Sequence, residues 1–306
     1  MKILENELMK SIKFKYEENN IKYEEYYFNG IPIPKNIVIK DINHYSININ
    51  WEIDNNIDNN KIKYIIEIRK EDEKFNKIYE GSNKNCLINN LLENTNYEFR
   101  ICSFYNDSYG NWTEIQKVKT HVNSNILKES KREDEFISKI LEWSGYKRME
   151  LIYRGSRDGT TSNIFHNKCD NKGPTIILFK NEKGNIYGGY CPISWKSNGE
   201  WQSVPEAFIF TLTNIYNIEP TKFNRTNDQY GIYFGSDYGS WFGNCSNIGF
   251  ESDYSKSNKC YSYFGHSGHV SYQDNLGKGK SIFTGDLNNN NIYYKINEIE
   301  AFTLYK

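Results

Sequence analysis

Alternation of apolar and polar residues between positions 33 and 120 constrains the fold more than any other feature of the chain. Successive side chains of an extended strand point to opposite faces, so this period of two predicts strands with one buried face. The alternation is clearest at 47–53, 62–68 and 97–101, and clusters of Asn, Asp and Gly separate these runs. About seven such strands in close succession predict a β-sandwich.

The same stretch resembles a fibronectin type III domain. Trp51 lies in the second predicted strand, Tyr64 in the third, and LLENTNYEFRI follows. The L-x-P-x-T-x-Y element of that family is matched at Leu91, Thr95 and Tyr97, with Glu93 in place of the proline. The resemblance implies that the Tyr97 hydroxyl ties its strand to the preceding loop. We therefore expect Trp51, Tyr64 and Tyr97 to be buried in one core.

The segments on either side of this domain have helical periodicity. Leu4, Leu8 and Ile12 step by four, which predicts a helix within residues 1–30. Apolar residues share one helix face again over 121–149, where Gly145 is the expected end. The 306 residues suffice for two domains. We predict an N-terminal helical segment at 1–30, the fibronectin-like domain at 31–120 and a second domain at 121–306 with a leading helix.

Residues 151–195 form the most specific string in the chain, LIYRGSRDGTTSNIFHNKCDNKGPTIILFKNEKGNIYGGYCPISW. The string and the closing INEIEAFTL, which contains Glu300, resemble the TLDc domain family, although the match thins between 221 and 279. The resemblance implies an α+β, mainly β fold: two antiparallel sheets packed as a sandwich and flanked by helices. The family is associated with protection against oxidative damage and with binding of the vacuolar ATPase. It thus implies a non-catalytic protein-binding adaptor.

Local chemistry within the string indicates how it folds. An apolar strand should end near Tyr153, and Asp158 followed by Gly159 favours a turn, since Asp can bond its own backbone and Gly tolerates positive φ. The apolar run 175–179 predicts a buried strand. Two adjacent glycines, Gly188 and Gly189, predict the close approach of another backbone or a bulge.

The candidate protein-binding residues all come from this motif: Tyr153, Arg154, Arg157, Asp158, Tyr190 and Trp195. If the motif binds a partner, at least one guanidinium should reach solvent beside an exposed aromatic ring, since Arg and Tyr are enriched at interface hot spots. If it is a structural hub, both arginines should bond to carboxylates or backbone carbonyls. The structural interpretation is favoured, because buried and half-buried charges are usually paired.

Cysteine chemistry provides an alternative function, a thiol-dependent redox enzyme that uses Cys169 or Cys191. His166 and Cys169 are three residues apart and could face each other on one helical turn, and such a pair can produce a thiolate. Packing of both residues in the core explains the same letters. The six cysteines have irregular spacing, so we expect free thiols and a cytoplasmic protein.

Other ligand classes receive little support. Cys245, Cys260, His266 and His269 lack the close cysteine pair of structural zinc sites, so we predict neither a metal nor a cofactor. Trp195, Trp201 and Trp241 could line a sugar-binding face, but aromatic residues of two β-rich domains belong mostly to cores. A net charge of -1 does not predict nucleic-acid binding. No stretch approaches the ~20 apolar residues of a membrane span.

Overall fold

The computed structural model describes residues 14–18, 21–25, 31–53, 62–105, 108–226, 229–256, 260–265, 271–287 and 292–306. Two compact units divide the chain, Met1–His121 and Val122–Lys306. Both are built mainly from antiparallel strands. The mainly β fold class predicted from the sequence is therefore confirmed.

A hairpin of two short strands lies before the first domain. Strand β1 (Phe14–Glu18) pairs antiparallel with β2 (Ile21–Glu25), which places Tyr16 opposite Tyr23. The helix predicted within 1–30 is therefore wrong for these two segments. Aromatic and β-branched residues alternate there with Lys and Glu, and this period of two favours strands. The rest of that prediction, including Leu4, Leu8 and Ile12, lies outside the described residues.

The first domain is a sandwich of two sheets. Its strands are β3 (Lys35–Lys40), β4 (Ile47–Glu52), β5 (Lys63–Lys70), β6 (Asn76–Gly81), β7 (Asn85–Ile88), β8 (Asn96–Tyr105), β9 (Ser108–Trp112) and β10 (Gln116–Lys119). One sheet has the order β3-β4-β7, and the other has the order β10-β8-β5-β6 with β9 also paired to β8. Because β9 and β10 both pair with β8, they act as one interrupted strand. The seven-stranded sandwich is thus present with its last strand split.

The core of this sandwich contains the aromatic residues that the sequence placed there. Trp51, Tyr64 and Tyr97 are all buried in one cluster, and the rings of Trp51 and Tyr64 meet edge to face at 5.3 Å. The Tyr97 hydroxyl accepts a hydrogen bond of 2.9 Å from the backbone N–H of Leu92, in the loop before its strand. Both expectations for these residues are confirmed.

The second domain contains two sheets. The first has the order β11-β20-β12-β13-β15-β16 and the second the order β14-β17-β18-β19. The strands are β11 (Arg148–Arg154), β12 (Thr175–Asn181), β13 (Ile186–Cys191), β14 (Trp201–Gln202), β15 (Phe208–Thr213), β16 (Thr221–Asn224), β17 (Ile232–Tyr233), β18 (Tyr238–Phe242), β19 (Ile248–Glu251) and β20 (Ile296–Tyr305). The two-sheet arrangement expected of the TLDc type is present.

Short helices complete the domain: α1 (Asn125–Lys128), α2 (Glu133–Ser144), α3 (Gly155–Asp158), α4 (Ser162–Cys169) and α5 (Ser281–Thr284). Helix α2 ends at Gly145, as predicted, with a left-handed φ of 72° and a backbone N–H that bonds to the Leu141 carbonyl. Among the described residues, no helix is long and apolar enough to cross a membrane.

Apolar packing covers both faces of the six-stranded sheet. On one face Ile176 and Leu178 pack with Phe136 and Ile140 of α2. On the other face Ile177 belongs to a second cluster, which includes residues of the four-stranded sheet and α4. Strand β12 is consequently buried on both sides, which explains why its sequence is a continuous apolar run.

The glycine pair of β13 allows this close packing. A Cβ atom on Gly189 would lie 2.5 Å from the ring of Phe242 in β18. A Cβ atom on Gly188 would lie 2.2 Å from the carbonyl oxygen of Ile177. The predicted close approach is therefore confirmed, and it is made by a neighbouring ring as well as by backbone.

Candidate functional site

The motif of residues 151–195 begins where β11 ends. Arg154 is the last residue of the strand, and α3 follows as a single helical turn. Gly159 ends that turn with a φ of 119°, which an L side chain rarely adopts. Antiparallel pairing sets Arg154 directly opposite Glu300 of β20. Sheet register thus brings together two residues that are far apart in the sequence.

Arg154 and Glu300 form a buried ion pair. The guanidinium Nε of Arg154 donates a hydrogen bond of 2.7 Å to Oε1 of Glu300. Arg154 is 8% exposed and Glu300 is 0% exposed. Burial raises the pKa of Glu300, while hydrogen bonds from Ser124 and Arg154 act in the opposite direction. Both partners are needed here, because an unpaired charge at such depth is costly.

The same two side chains hold the start of the domain, through contacts that we call the clamp. Glu300 accepts hydrogen bonds from the Ser124 hydroxyl at 2.6 Å and from the backbone N–H of Asn125 at 2.9 Å. The Arg154 Nη2 donates to the backbone carbonyl of Asn123 at 2.8 Å. Ser124 also caps α1, since its oxygen accepts from the backbone N–H of Leu127 at 3.0 Å. The clamp therefore joins β11, β20 and the N-terminus of α1.

Arg157 makes a different kind of ion pair, with its neighbour Asp158. Its Nε and Nη2 donate to the two carboxylate oxygens at 3.0 and 2.7 Å, and its side chain remains 45% exposed. Asp158 also accepts from the backbone N–H of Arg154 at 3.0 Å, and Lys168 lies 3.4 Å away. Desolvation opposes the charge of Asp158, but these hydrogen bonds and cations together lower its pKa below the ordinary value.

The three aromatic candidates belong to the core. Tyr153 and Trp195 have no exposed surface, and Tyr190 is 6% exposed. The Tyr153 hydroxyl donates to the carbonyl of Gly159 at 2.8 Å, and the indole N–H of Trp195 donates to the hydroxyl of Thr175 at 2.8 Å. Contact with a partner through these rings would require the domain to open. The arrangement expected of a partner site, an exposed arginine beside an exposed ring, is therefore absent at Tyr153 and Tyr190, and both arginines bond to carboxylates, as expected of a structural hub.

His166 and Cys169 share helix α4, as their spacing predicted, but the imidazole is occupied by other partners. Its Nε2–H donates to the backbone carbonyl of Tyr238 at 2.7 Å, and its Nδ1 lies 2.7 Å from a carboxylate oxygen of Asp170. Neither ring nitrogen is left to take a proton from the Cys169 thiol. The histidine instead connects α4 to β18.

Neither redox candidate has the surroundings of a reactive thiol. Cys169 and Cys191 have no exposed surface. Burial raises the pKa of Cys169 well above its ordinary value and raises that of Cys191 to about 12. The thiolate is the nucleophilic form, so both groups are held in the unreactive state. All six cysteines are free, as predicted, and Cys245 alone among them is more than marginally exposed.

The histidine and cysteine residues were also considered as metal ligands from the sequence, and their positions bear on that alternative. No group of three or more His, Cys, Asp or Glu side chains suited to a metal ion occurs in the part of the chain that the structure describes. Cys245 and Cys260 lie within that part. His266 and His269 lie outside the described residues.

The sequence did not identify the partner of Arg154. The family resemblance includes Glu300, but no sequence pattern connects Asn123, Ser124 or Glu300 with Arg154. The sequence does contain a signal, because Glu300 lies in β20 with apolar residues, Ile299 and Ala301, on both sides. Such a residue predicts a buried cation or a set of N–H donors nearby. Its identity depends on strand register, which the local sequence does not contain.

Comparison with known families agrees with this architecture. Residues 32–119 match the fibronectin type III domain. Residues 121–305, more than half of the chain, match the TLDc domain. The chain belongs to the TLDc domain family, with a fibronectin type III domain preceding the TLDc domain.

Individual relatives are distant. MTOR-associated protein MEAK7 of Danio rerio is 26% identical over 77 residues, which are 25% of this chain and 17% of that protein. The chain thus spans about a sixth of that curated relative. A human KIAA0970 fibronectin type III domain is 19% identical with a TM-score of 0.27, covering 30% of this chain and 74% of that one. The domain of human fibronectin type III domain containing protein 3 is 20% identical with a TM-score of 0.28, covering 31% and 88%.

Proposed function

We propose that this protein is a non-catalytic adaptor that binds a protein partner through its TLDc domain. One observation carries the proposal: the motif's chemistry-bearing side chains are used inside the fold. Arg154, Asp158 and His166 are each bonded within the domain, and the two candidate thiols are buried. A catalytic acid, base or nucleophile has to reach its substrate, which these groups do not.

Arg157 is the motif residue best placed to contact a partner. Its guanidinium is fixed by Asp158 while 45% of its side chain is exposed, and the exposed Lys168 lies on the other side of the same carboxylate. A planar donor group that is already oriented loses less entropy on binding than a mobile one. The turn of α3 therefore presents a preorganised cationic surface.

The vacuolar ATPase is the first partner to test, because the TLDc family is associated with it and with resistance to oxidative damage. The relative MEAK7 is named as an mTOR-associated protein, which makes mTOR a second candidate. We also propose that the protein resides in the cytoplasm, where thiols remain reduced. Cell fractionation with an antibody to the full chain tests this location, and recovery in a secreted fraction would contradict it.

Affinity capture with the full chain tests the binding function. The bait should enrich specific proteins over an unrelated bait, with enrichment measured by mass spectrometry. Arg157→Glu reverses the exposed charge and should reduce that enrichment. The matched variant Lys139→Glu changes the same charge on α2 and should leave the enrichment unchanged. Failure of the wild-type chain to enrich any protein reproducibly would contradict the proposed function.

The redox alternative makes an opposite prediction that can be measured separately. A thiol-dependent enzyme would consume peroxide in the presence of a reductant, and Cys169→Ser or Cys191→Ser would abolish the activity. Because both thiols are buried with raised pKa values, we expect the same slow background rate from wild type and variants. A rate that depends on either cysteine would favour the enzyme over the adaptor.

A further inference from the structure

A cleft of about 490 Å³ lies along the four-stranded sheet of the second domain. Seven of its ten lining residues are tryptophan or tyrosine. A volume of this size falls within the range of sites for small ligands or short peptide segments, roughly 300–1,000 Å³. None of the residues that line the cleft belongs to the clamp, and Arg157 is not among them.

Sheet register builds the wall of the cleft. Trp201 of β14 lies opposite Tyr233 of β17, which in turn lies opposite Trp241 of β18. Residues opposite one another in neighbouring strands share a face, so the three rings form a row across the sheet. Their centroids confirm the contact between the first two, at 4.9 Å. Because strands hold the row, it does not need to be ordered by a ligand.

Further rings extend this wall around the cleft. Tyr238 lies 4.6 Å from Trp241 and 5.4 Å from Tyr233 between ring centroids. Tyr261 meets Trp241 at 5.2 Å. Trp201, Tyr233, Tyr238 and Tyr261 are half-buried, whereas core rings of the same domain are fully buried. Several large rings therefore face one concave surface and are not packed in the core. Core packing alone does not explain their arrangement.

The charge of the lining is one-sided. Among the described residues that line the cleft, the single side chain charged at neutral pH is Glu251, and none is lysine or arginine. Glu251 lies opposite Tyr238 in the sheet. Burial raises the pKa of Tyr261, and the charge of Glu251 raises it further, so the carboxylate acts on the rings of the cleft. Aromatic faces also carry partial negative charge, and both features favour a cation.

We propose that this aromatic cleft binds an arginine side chain presented by a protein partner, an inference that rests on the proposed adaptor function. The planar guanidinium stacks on the ring wall and its N–H groups donate to Glu251. A sugar hydroxyl can also donate to Glu251, but only a cation gains the added attraction of the carboxylate charge and of the ring faces, so arginine suits the cleft better. The cleft has room for the residues that flank the arginine.

Fluorine NMR of the full chain labelled with 5-fluorotryptophan tests this site directly. The probe is the capped peptide Gly-Gly-Arg-Gly-Gly, and the matched peptide has citrulline, which is isosteric and neutral, in place of arginine. The arginine peptide should shift the resonances of Trp201 and Trp241. The other four tryptophans are internal controls that should not move: Trp51, Trp112, Trp143 and Trp195.

Substitutions separate charge from ring stacking. Glu251→Gln should weaken peptide binding by about fivefold, because it removes the partly exposed carboxylate. Trp201→Ala should weaken it by about tenfold, through loss of one stacking face. Glu142→Gln makes the same charge change on the exposed side of α2 and should leave the affinity unchanged. Unchanged resonances of the four control tryptophans show that each variant is folded.

Several results would overturn the proposal. Equal binding of the citrulline peptide would show that charge is not recognised. Shifts produced by maltose but not by the arginine peptide would identify a carbohydrate site instead. Absence of any shift with the arginine peptide would mean that the cleft does not bind this group. If the wild-type chain still captures partners in that last case, the adaptor function stands and this inference alone fails.

Discussion

Arg154 and Arg157 are three residues apart in one motif, yet they differ in almost every physical respect. Arg154 ends a strand and bonds to a fully buried carboxylate 146 residues away. Arg157 lies in the following turn and bonds to the adjacent Asp158 while half of its side chain faces solvent. Both are paired, so pairing alone does not distinguish them. The two ion pairs differ in their exposure to solvent, since the Arg154 pair is buried and the Arg157 side chain is 45% exposed.

This contrast determines what each arginine can do. Loss of one partner of a buried ion pair costs about 3–5 kcal/mol, whereas an exposed pair contributes about 0–1 kcal/mol. Arg154 is thus committed to the stability of the domain. Removal of Arg157 should have little effect on folding, which is compatible with the binding role proposed for it. Under the proposed function, one motif would combine a residue for structure with a residue for recognition.

Arg154→Met should produce the largest effect, a loss of about 3–5 kcal/mol in the free energy of unfolding at neutral pH. The substitution keeps a long side chain but leaves the buried Glu300 without its cation. Urea unfolding of the full chain measures the change. Arg132→Met removes an exposed arginine that is paired with Glu135 and Glu219, and it should cost at most about 1 kcal/mol. Equal losses of unfolding free energy in Arg154→Met and Arg132→Met would contradict the contrast between buried and exposed arginine pairs.

The effect of Arg154→Met should also depend on pH. Glu300 has a folded-state pKa above its ordinary value of 4.5, so its contribution to stability is fully present below 4.5 and is lost as the pH rises through the folded value. Without Arg154 the folded value should rise further. The variant should therefore lose less stability below pH 4.5 than at pH 7. A loss independent of pH would mean that the charge of Glu300 is not involved.

Asp158→Asn should have an intermediate effect, of about 1–2 kcal/mol, because the amide weakens charge-assisted hydrogen bonds from Arg154 and Arg157. The pKa of Asp158 is lowered from an ordinary value of 3.8. Its stabilising contribution is therefore present above 3.8 and is lost as the pH falls through the folded value. The difference between wild type and variant should shrink in that acidic window. Growth of the difference at low pH would contradict the assignment.

Arg157→Ala should have the smallest effect on stability, about 0–1 kcal/mol. Thermal unfolding and partner capture should be measured on the same preparation. Lost capture with unchanged stability would identify Arg157 as a contact residue. A stability loss above about 2 kcal/mol, with binding lost in proportion, would place Arg157 in the same class as Arg154 and would remove the contrast between them.

Sequence patterns predicted the fold best where a local period reports burial directly. Alternation located the strands that contain Trp51 and Tyr64, and the position of Tyr97 predicted its hydroxyl contact with the preceding loop. The N-terminal prediction was wrong for β1 and β2, because it rested on the helical spacing of Leu4, Leu8 and Ile12, whereas apolar and charged residues largely alternate within the two strands. Short segments with mixed periods allow either structure.

The candidate site was harder to predict, because its contacts join distant parts of the chain. The spacing of His166 and Cys169 correctly gave a shared helix, but Asp170 and the carbonyl of Tyr238 decide what the imidazole does. In the same way Trp195 is fully buried, Trp201 is half-buried beside the cleft, and Trp241, which is 5% exposed, forms part of the cleft wall. Nothing in the local sequence separates these three tryptophans. Their difference arises from sheet register.

The clamp has a mechanical consequence for the second domain. Tension transmitted along the chain from the fibronectin type III domain would enter at Val122 and reach Asn123, Ser124 and Asn125 first. Ser124 and Asn125 bond to Glu300 on β20, an interior strand, and Asn123 bonds to Arg154 on the neighbouring strand β11. Separation of α1 and α2 from the sheet, starting at the N-terminus of α1, would first have to break the buried charged contacts of the clamp. Residues 122–125 should therefore stay attached to the second domain when the chain is under tension.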